Sequence, residues 1–287
     1  MDTFSEDQQL AYDSCMEGEN VFITGPGGTG KSFLIKSILS GLQRKGKRVQ
    51  VCSTTGCSSV LLNCNARTLH SWSGIGATNI DFDTIVTRIK MNRYKRKNWM
   101  NVDVLIVDEV SMLSKSLFEL LDQIGKQVRM TNSKYHAIAG KPFGGIQLVA
   151  CGDFFQLPPV PTQGDPDSDK MCFESPLWEQ TFDSQILLDK IFRQKNEEYL
   201  KILNEVRQGY ITKSSVSTLK KYVRGPTEFG DDPSNQPVTL FSTKRQANEM
   251  NARYMNDLEG EDYVMDCEVV YDPSLCLECK PKLRRMK

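Results

Sequence analysis

Long hydrophobic runs are missing from this sequence of 287 residues, and none approaches the roughly 18 apolar residues that a membrane-crossing helix needs. The acidic start, Met1-Asp2-Thr3-Phe4-Ser5-Glu6-Asp7, lacks the apolar h-region of a secretory signal, so neither export nor a membrane anchor is expected. Charge of one sign is not in excess: Lys and Arg total 36 and Asp and Glu total 36, so the overall field selects no partner. Cysteines number nine, an odd count without the regular spacing of a disulfide framework, which points to reduced thiols and an intracellular setting. A lone C-x-x-C, Cys276 and Cys279, has no second pair to complete a tetrahedral zinc site. No internal repeat or low-complexity segment occurs.

What is present is a globular composition, with 39% hydrophobic and 25% charged residues. At about 150 residues per domain the length suggests two domains, the second incomplete. Short apolar runs alternate with helical periodicities. Strands are expected at Asn20–Thr24, Arg48–Ser53, Val102–Val107 and Ile146–Cys151, and helices at Ser32–Lys45, Ser58–Asn63 and Ser114 to about Arg129. That alternation predicts an α/β fold, a parallel sheet with helices on both faces. The Asp-rich stretch Gly164–Asp169 reads as a surface loop. Helices are expected at Glu197–Gln208 and Thr212–Val223, followed by a Gly/Pro/Asp-rich connector over Gly225–Pro237. Val238–Ser242 reads as a strand and Lys244–Leu258 as a helix, the start of a second α/β unit.

Gly25-Pro26-Gly27-Gly28-Thr29-Gly30-Lys31-Ser32 fits G-x-x-x-x-G-K-[ST] between a strand and a helix, the context the pattern requires. Chance supplies such a match in about 1% of chains this long, so a plain glycine turn is a weak competitor. The glycines let backbone N–H groups wrap a phosphate, Lys31 can reach the β and γ phosphates, and the Ser32 hydroxyl can ligate Mg²⁺. Leu105-Ile106-Val107-Asp108-Glu109 delivers two carboxylates at a strand's carboxyl end. Asp108 would hold Mg²⁺ through its water shell, and Glu109 would orient and polarise the attacking water. Gly152-Asp153-Phe154-Phe155-Gln156-Leu157-Pro158-Pro159-Val160 follows the next apolar strand. Gln156 there is either a γ-phosphate sensor or the satisfied amide of a structural corner, and spacing does not choose between them.

Two basic clusters stand out: Arg88, Lys90, Arg93, Lys95, Arg96 and Lys97, and then Lys280, Lys282, Arg284, Arg285 and Lys287. Each reads equally well as a solvated face or as an anion-binding patch. Tyr94 and Trp99 beside the first suit it to phosphates and stacked bases.

Taken together, the glycine-rich loop, Asp108-Glu109-Val110-Ser111-Met112-Leu113, the GDFFQLPPV string and Thr68-Leu69-His70-Ser71-Trp72-Ser73-Gly74-Ile75-Gly76 closely resemble the Pif family of RecD-like superfamily 1B DNA helicases. The resemblance implies a P-loop NTPase with a RecA-like ATP-binding domain over 1–188 and a partial second RecA-like domain over 189–287. It implies ATP and Mg²⁺ as cofactors, single-stranded DNA as partner, and 5′-to-3′ translocation. Phe4-Ser5-Glu6-Asp7-Gln8 is similar to the family's adenine-reading motif, with Gln8 on the adenine edge. Cys52 to Ser59 is similar to its strand-contacting motif: Thr55 and Gly56 match, while Cys52, Ser58 and Ser59 replace the more usual Thr, Ala and Ala. His70, one of only two histidines, would lie near single-stranded DNA, and Arg193, within Leu188–Gln194, would reach the γ-phosphate. Val206-Arg207-Gln208-Gly209 and Leu240-Phe241-Ser242-Thr243 continue the likeness.

The resemblance fades near Asp266. Family members continue through a small inserted barrel and two further motifs, one carrying an arginine finger worth roughly 10³ to 10⁵ in turnover. The expectation is therefore a truncated helicase, or one whose remainder lies in an adjacent reading frame. The alternative is a hydrolysis-poor, ATP-dependent single-stranded DNA-binding regulator. A guanine-nucleotide switch ranks last, because no N-K-x-D string occurs.

Overall fold

The computed structural model describes residues 4–76, 81–223, 238–258 and 260. It divides into two compact units, Met1–Lys221 and Tyr222–Lys287.

The first unit runs α1 (Glu6–Glu17), β1 (Val21–Thr24), α2 (Lys31–Arg44), β2 (Val49–Ser53), α3 (Gly56–Leu61), β3 (Arg67–Thr68), α4 (Leu69–Ser73), α5 (Phe82–Met91), α6 (Arg93–Asn101), β4 (Val104–Asp108), α7 (Lys115–Arg129), β5 (Gln147–Cys151), α8 (Leu177–Thr181), β6 (Ser184–Leu187), α9 (Glu197–Arg207) and α10 (Lys213–Lys220). Among the described residues the strands form one six-stranded sheet in the order β3-β2-β4-β5-β1-β6. Every pairing is parallel, with Val51 opposite Ile106, Ile106 opposite Val149, and Ile23 opposite Cys151 and Ile186.

Alternate strand residues feed two cores, as a sheet covered on both sides requires. Phe22, Leu105, Val107, Leu148 and Ala150 meet Trp72, Trp99, Phe118 and Trp178 on one face. Val21, Ile23, Val104, Ile106, Val149 and Cys151 meet Ala11, Leu34, Ile35, Ile38 and Leu42 on the other. The expected doubly covered parallel sheet is thus present, and each expected strand of the first unit lies within two residues of an observed one.

Helix starts follow local chemistry. Ser114 caps α7 by accepting from the Leu117 N–H at 3.2 Å. Ser5 and Gln8 close a capping box on α1, Ser5 Oγ accepting from the Gln8 N–H at 3.3 Å and Gln8 Oε1 from the Ser5 N–H at 3.1 Å. By contrast α2 begins at Gly30 with no side-chain cap and no acidic residue in its first turn, so its N–H groups and the positive end of its dipole open outward.

Helices α9 and α10 belong to the first compact unit. The second unit contains α11 (Lys244–Asn256), whose cap Thr243 accepts from the Gln246 N–H at 3.4 Å. Val238–Ser242, expected as a strand, carries none, because no described strand of that unit offers it a ladder partner. The Gly225–Pro237 connector, the Cys276/Cys279 pair and the Lys280–Lys287 cluster lie outside the described residues. The described cysteines, Cys15, Cys52, Cys57, Cys64, Cys151 and Cys172, are all free thiols. No described helix is long and apolar enough to cross a membrane.

Candidate active site

The parallel sheet aligns the carboxyl ends of β1, β4 and β5, and the chain's chemistry leaves from those three ends. After β1 the loop passes through Gly25, at φ 147°. A Cβ there would stand 2.3 Å from the Leu188 carbonyl oxygen. Gly30, at φ 82°, turns the loop into α2, and a Cβ on it would meet Gln8 Nε2 at 2.7 Å. Thr29 Oγ1 ties the turn by donating to the Pro26 carbonyl at 3.0 Å. The Lys31 ammonium arches back over the loop, donating to the carbonyls of Gly25 at 2.7 Å and Pro26 at 3.0 Å.

Gly27, Gly28, Gly30, Lys31 and Ser32 line a cleft of about 420 Å³, and Glu109, Gln156, Phe192 and Arg193 close its other side. A contiguous recess of about 580 Å³ joins Ser32 to Thr55, Ser58, Asp108, Glu109, Gln156 and Arg193. Residues as far apart in sequence as Gly27 and Arg193 thus face one volume, with the cationic loop on one wall and the carboxylates on the other.

Asp108 ends β4 and is buried. Loss of solvent, and then repulsion from Glu109, pushes its carboxyl up to about 6. Ser58 Oγ donates to Asp108 Oδ2 at 3.4 Å, so a residue that departs from the family pattern places a hydroxyl on this carboxylate. Glu109 sits in the left-handed region, at φ 57° and ψ 44°, a conformation costly for a residue with a Cβ. Thr54 Oγ1 holds it by donating to the Glu109 carbonyl at 2.9 Å. The strained turn lifts the Glu109 side chain out of the strand line and into the cleft.

Gln156 is held through Asp153, which is 1% exposed. The Asp153 carboxylate accepts from Arg207 Nε at 2.9 Å, Arg207 Nη2 at 2.7 Å, the Phe155 N–H at 3.2 Å and Gln156 Nε2 at 3.2 Å. Burial pushes this carboxyl up, but Arg207 and the other donors outweigh it and hold it below the usual carboxylate range. The Arg207 guanidinium also lies over the Phe155 ring, 4.3 Å from its centroid. Asp153 stands in the GDFFQLPPV string and Arg207 in Val206-Arg207-Gln208-Gly209, but their pairing is not legible in the sequence, since partners 54 residues apart leave no spacing signal.

Arg193 lines both parts of the cleft, carried there by backbone bonds from the Phe192 and Arg193 N–H groups to the Gly28 carbonyl at 2.8 and 3.3 Å. Gln8 is buried beneath the loop, where Nε2 donates to the Thr29 carbonyl at 3.0 Å while Oε1 caps α1. Each end of the amide is engaged once, leaving one N–H and one lone pair for any adenine contact.

The residues expected to meet DNA do not share one pocket. Thr55 opens on the Asp108 recess and caps α3, accepting from the Ser58 N–H at 3.2 Å. A Cβ on the adjacent Gly56 would meet nothing within 4 Å, so the fold does not itself require glycine there. His70 lines a separate groove of about 420 Å³ with Thr54, Phe82, Met112, Pro159 and Val160, and burial lowers its pKa.

The PIF1-like helicase family profile matches residues 3–217 of this chain. The chain belongs to the PIF1-like helicase family. It is 36% identical over 247 residues to the ATP-dependent DNA helicase RRM3 of Saccharomyces cerevisiae, an alignment covering 85% of this chain and 32% of that protein. The crystal structure of Pif1 helicase from Candida albicans superposes with a TM-score of 0.79 at 33% identity, covering 91% of this chain and 56% of that one. Bacteroides Pif1 bound to single-stranded DNA superposes with a TM-score of 0.70 at 26% identity, over 88% of this chain and 56% of that one. The chain spans about a third of the length of the curated relatives it matches.

Proposed function

We propose that this chain is the ATP-binding and hydrolysing part of a 5′-to-3′ DNA helicase of the Pif type, coupling Mg-ATP hydrolysis to movement along single-stranded DNA. The observation that carries the reading is the shared cleft of Lys31, Ser32, Glu109, Gln156 and Arg193, built from the segments that follow β1, β4, β5 and β6 of one parallel sheet. Family membership supports it, as do the relatives' ATP dependence and the single-stranded DNA bound to the Bacteroides protein.

A triphosphate at Gly25–Ser32 meets the open N-terminus of α2, where backbone N–H groups and the helix dipole favour negative charge. Lys31 exchanges its loop carbonyls for phosphate oxygens. Glu109 orients the attacking water, and the Asp153–Arg207 pair aims Gln156 at the terminal phosphate. Mg²⁺ fits the donor set: Ser32 and Asp108 are hard oxygen ligands on one recess. Among the described residues no group of three or more His, Cys, Asp or Glu side chains could hold an ion alone, so phosphate oxygens and water would have to complete its shell. Bound there, it would offset phosphate charge. Arg193 would contribute a further positive charge to the γ-phosphate.

In this reading Thr55, Gly56 and His70 contact the DNA strand, and residues 189–287 begin a second RecA-like domain, although the compact units divide at Lys221 and the stretch 189–221 falls in the first of them. ATPase assays with and without single-stranded DNA test it, with Lys31→Ala as control. DNA-stimulated turnover abolished by the substitution is expected. Tight DNA binding without turnover would instead establish the hydrolysis-poor regulator.

A further inference from the structure

The first basic cluster is not absorbed by the cleft. Helices α5 and α6 present it beside the sheet edge formed by β3, and the structure changes its membership. Trp99 leaves it: the ring is buried against Trp72, 4.7 Å between centroids, and its Nε1–H donates to the Ser73 carbonyl at 2.9 Å. Arg88 stays exposed but donates to the Ile75 carbonyl and does not line the groove. Arg67 joins from β3. A groove of about 480 Å³ results, lined by Arg48, Gln50, Arg67, Tyr94, Lys95 and Lys97 among others, with no acidic side chain in its wall.

Its charges are left uncompensated. Arg48 is paired with Asp103 at 2.6 Å, but among the described residues no carboxylate lies within salt-bridge distance of Arg67, Arg93, Lys95, Arg96 or Lys97. Lys95 and Arg67 crowd one another on the Ser71 carbonyl. Burial and the charge of Arg67 both disfavour the Lys95 ammonium. An anion in the groove relieves that repulsion. Tyr94, 80% exposed, stands at its rim as a free aromatic face.

We propose that this groove is a second binding site for a single-stranded polynucleotide, separate from the nucleotide cleft: Arg67, Lys95 and Lys97 take backbone phosphates and Tyr94 stacks a base. An acidic peptide would satisfy the cations but leaves the exposed ring unused, which favours a nucleic-acid strand. The topology separates the two sites. Arg48 and Val49 open β2 and Val102 precedes β4, so the groove reaches the starting ends of strands whose far ends hold the cleft. Five residues of β2 put roughly 13 Å between those ends, and Arg67, level with Cys52, reaches the groove from the outer edge strand β3. The proposal rests on the DNA-motor reading only for its choice of polymer.

The test is binding of a fluorescent oligothymidine to the full chain over a range of salt concentrations, for the unaltered protein, Arg67→Gln/Lys97→Gln, and Tyr94→Ala. ATP binding is measured on the same samples to report an intact fold. Removing two phosphate contacts should flatten the slope of log K against log salt by about 1.4. Tyr94→Ala should weaken binding on the order of tenfold with the slope retained. ATP binding should stay unchanged in both variants. Unaltered affinity and slope in both would overturn the second site while leaving the motor reading standing. Loss of affinity for duplex or for an acidic peptide, with single-strand binding intact, would overturn it equally. No oligothymidine binding by the unaltered protein at low salt would count against the DNA reading itself.

Discussion

Arg207→Ala tests whether the Asp153–Arg207 pair organises the cleft or merely decorates it. The structure makes the two partners unequal: the Asp153 side chain is 1% exposed and the Arg207 side chain 20%. Removing one member of a buried pair typically costs about 3–5 kcal/mol, because a charge is left without its partner. Asp153 keeps the Phe155 N–H and the Gln156 amide, and water can enter where Arg207 was, so about 2–3 kcal/mol is expected for Arg207→Ala. Asp153→Asn should cost less, about 1–2 kcal/mol, since the freed guanidinium can turn toward solvent. The double variant should fall short of the sum by at least about 1 kcal/mol, the signature of direct coupling. The sign with pH follows from Asp153. Its folded pKa is depressed, so the pair's contribution is full above the usual carboxylate range and lost as pH falls through the folded value. Without Arg207, burial acts against fewer donors, Asp153 titrates higher, and the penalty shrinks on acidification. Urea unfolding at pH 7.5 and at pH 4 measures both effects. A cost under about 0.5 kcal/mol at pH 7.5, or one independent of pH, would refute the reasoning.

Three further outcomes follow from the same geometry. Asp108→Asn should abolish turnover yet raise the melting temperature in chelator at pH 7.5. Burial and Glu109 hold Asp108 at about 6, so its ionised form opposes folding by up to about 3 kcal/mol, and the gain should disappear below about pH 4. Glu109→Gly should also stabilise, by about 1 kcal/mol in denaturant unfolding, by releasing the left-handed backbone while removing hydrolysis. Gly25→Ala should destabilise by about 2 kcal/mol or more in the same assay, because its Cβ would meet the rigid Leu188 carbonyl at 2.3 Å.

The parallel sheet was legible because β4, buried at every position, and its neighbours are continuous apolar runs, and the phosphate loop because glycine spacing between strand and helix is itself the signal. Helix α1 is signalled locally by Ser5-Glu6-Asp7-Gln8, an S-x-x-Q capping box, but the same Gln8 also matches a ligand-contact pattern, and the two signals overlap on one side chain. Helices α5 and α6 were hidden in a run of charges, and Trp99 looked like a stacking platform because sequence does not show which face of α6 is buried. The strand expected at Val238–Ser242 shows the limit of β-propensity without a pairing partner. Asp153 and Arg207 come together only through tertiary packing, and so does the convergence of Arg193 on Gly28.

Everything proposed for the cleft requires the loop from Gly25 to Ser32 to hold the phosphates of ATP opposite Glu109. Calorimetric titration of Mg-ATP into the unaltered chain, Lys31→Ala and Glu109→Gln tests it most directly. Saturable binding to the first and third is expected, and loss of binding in Lys31→Ala. Absence of binding by the folded, unaltered chain at millimolar ATP, or equal binding by Lys31→Ala, would contradict it.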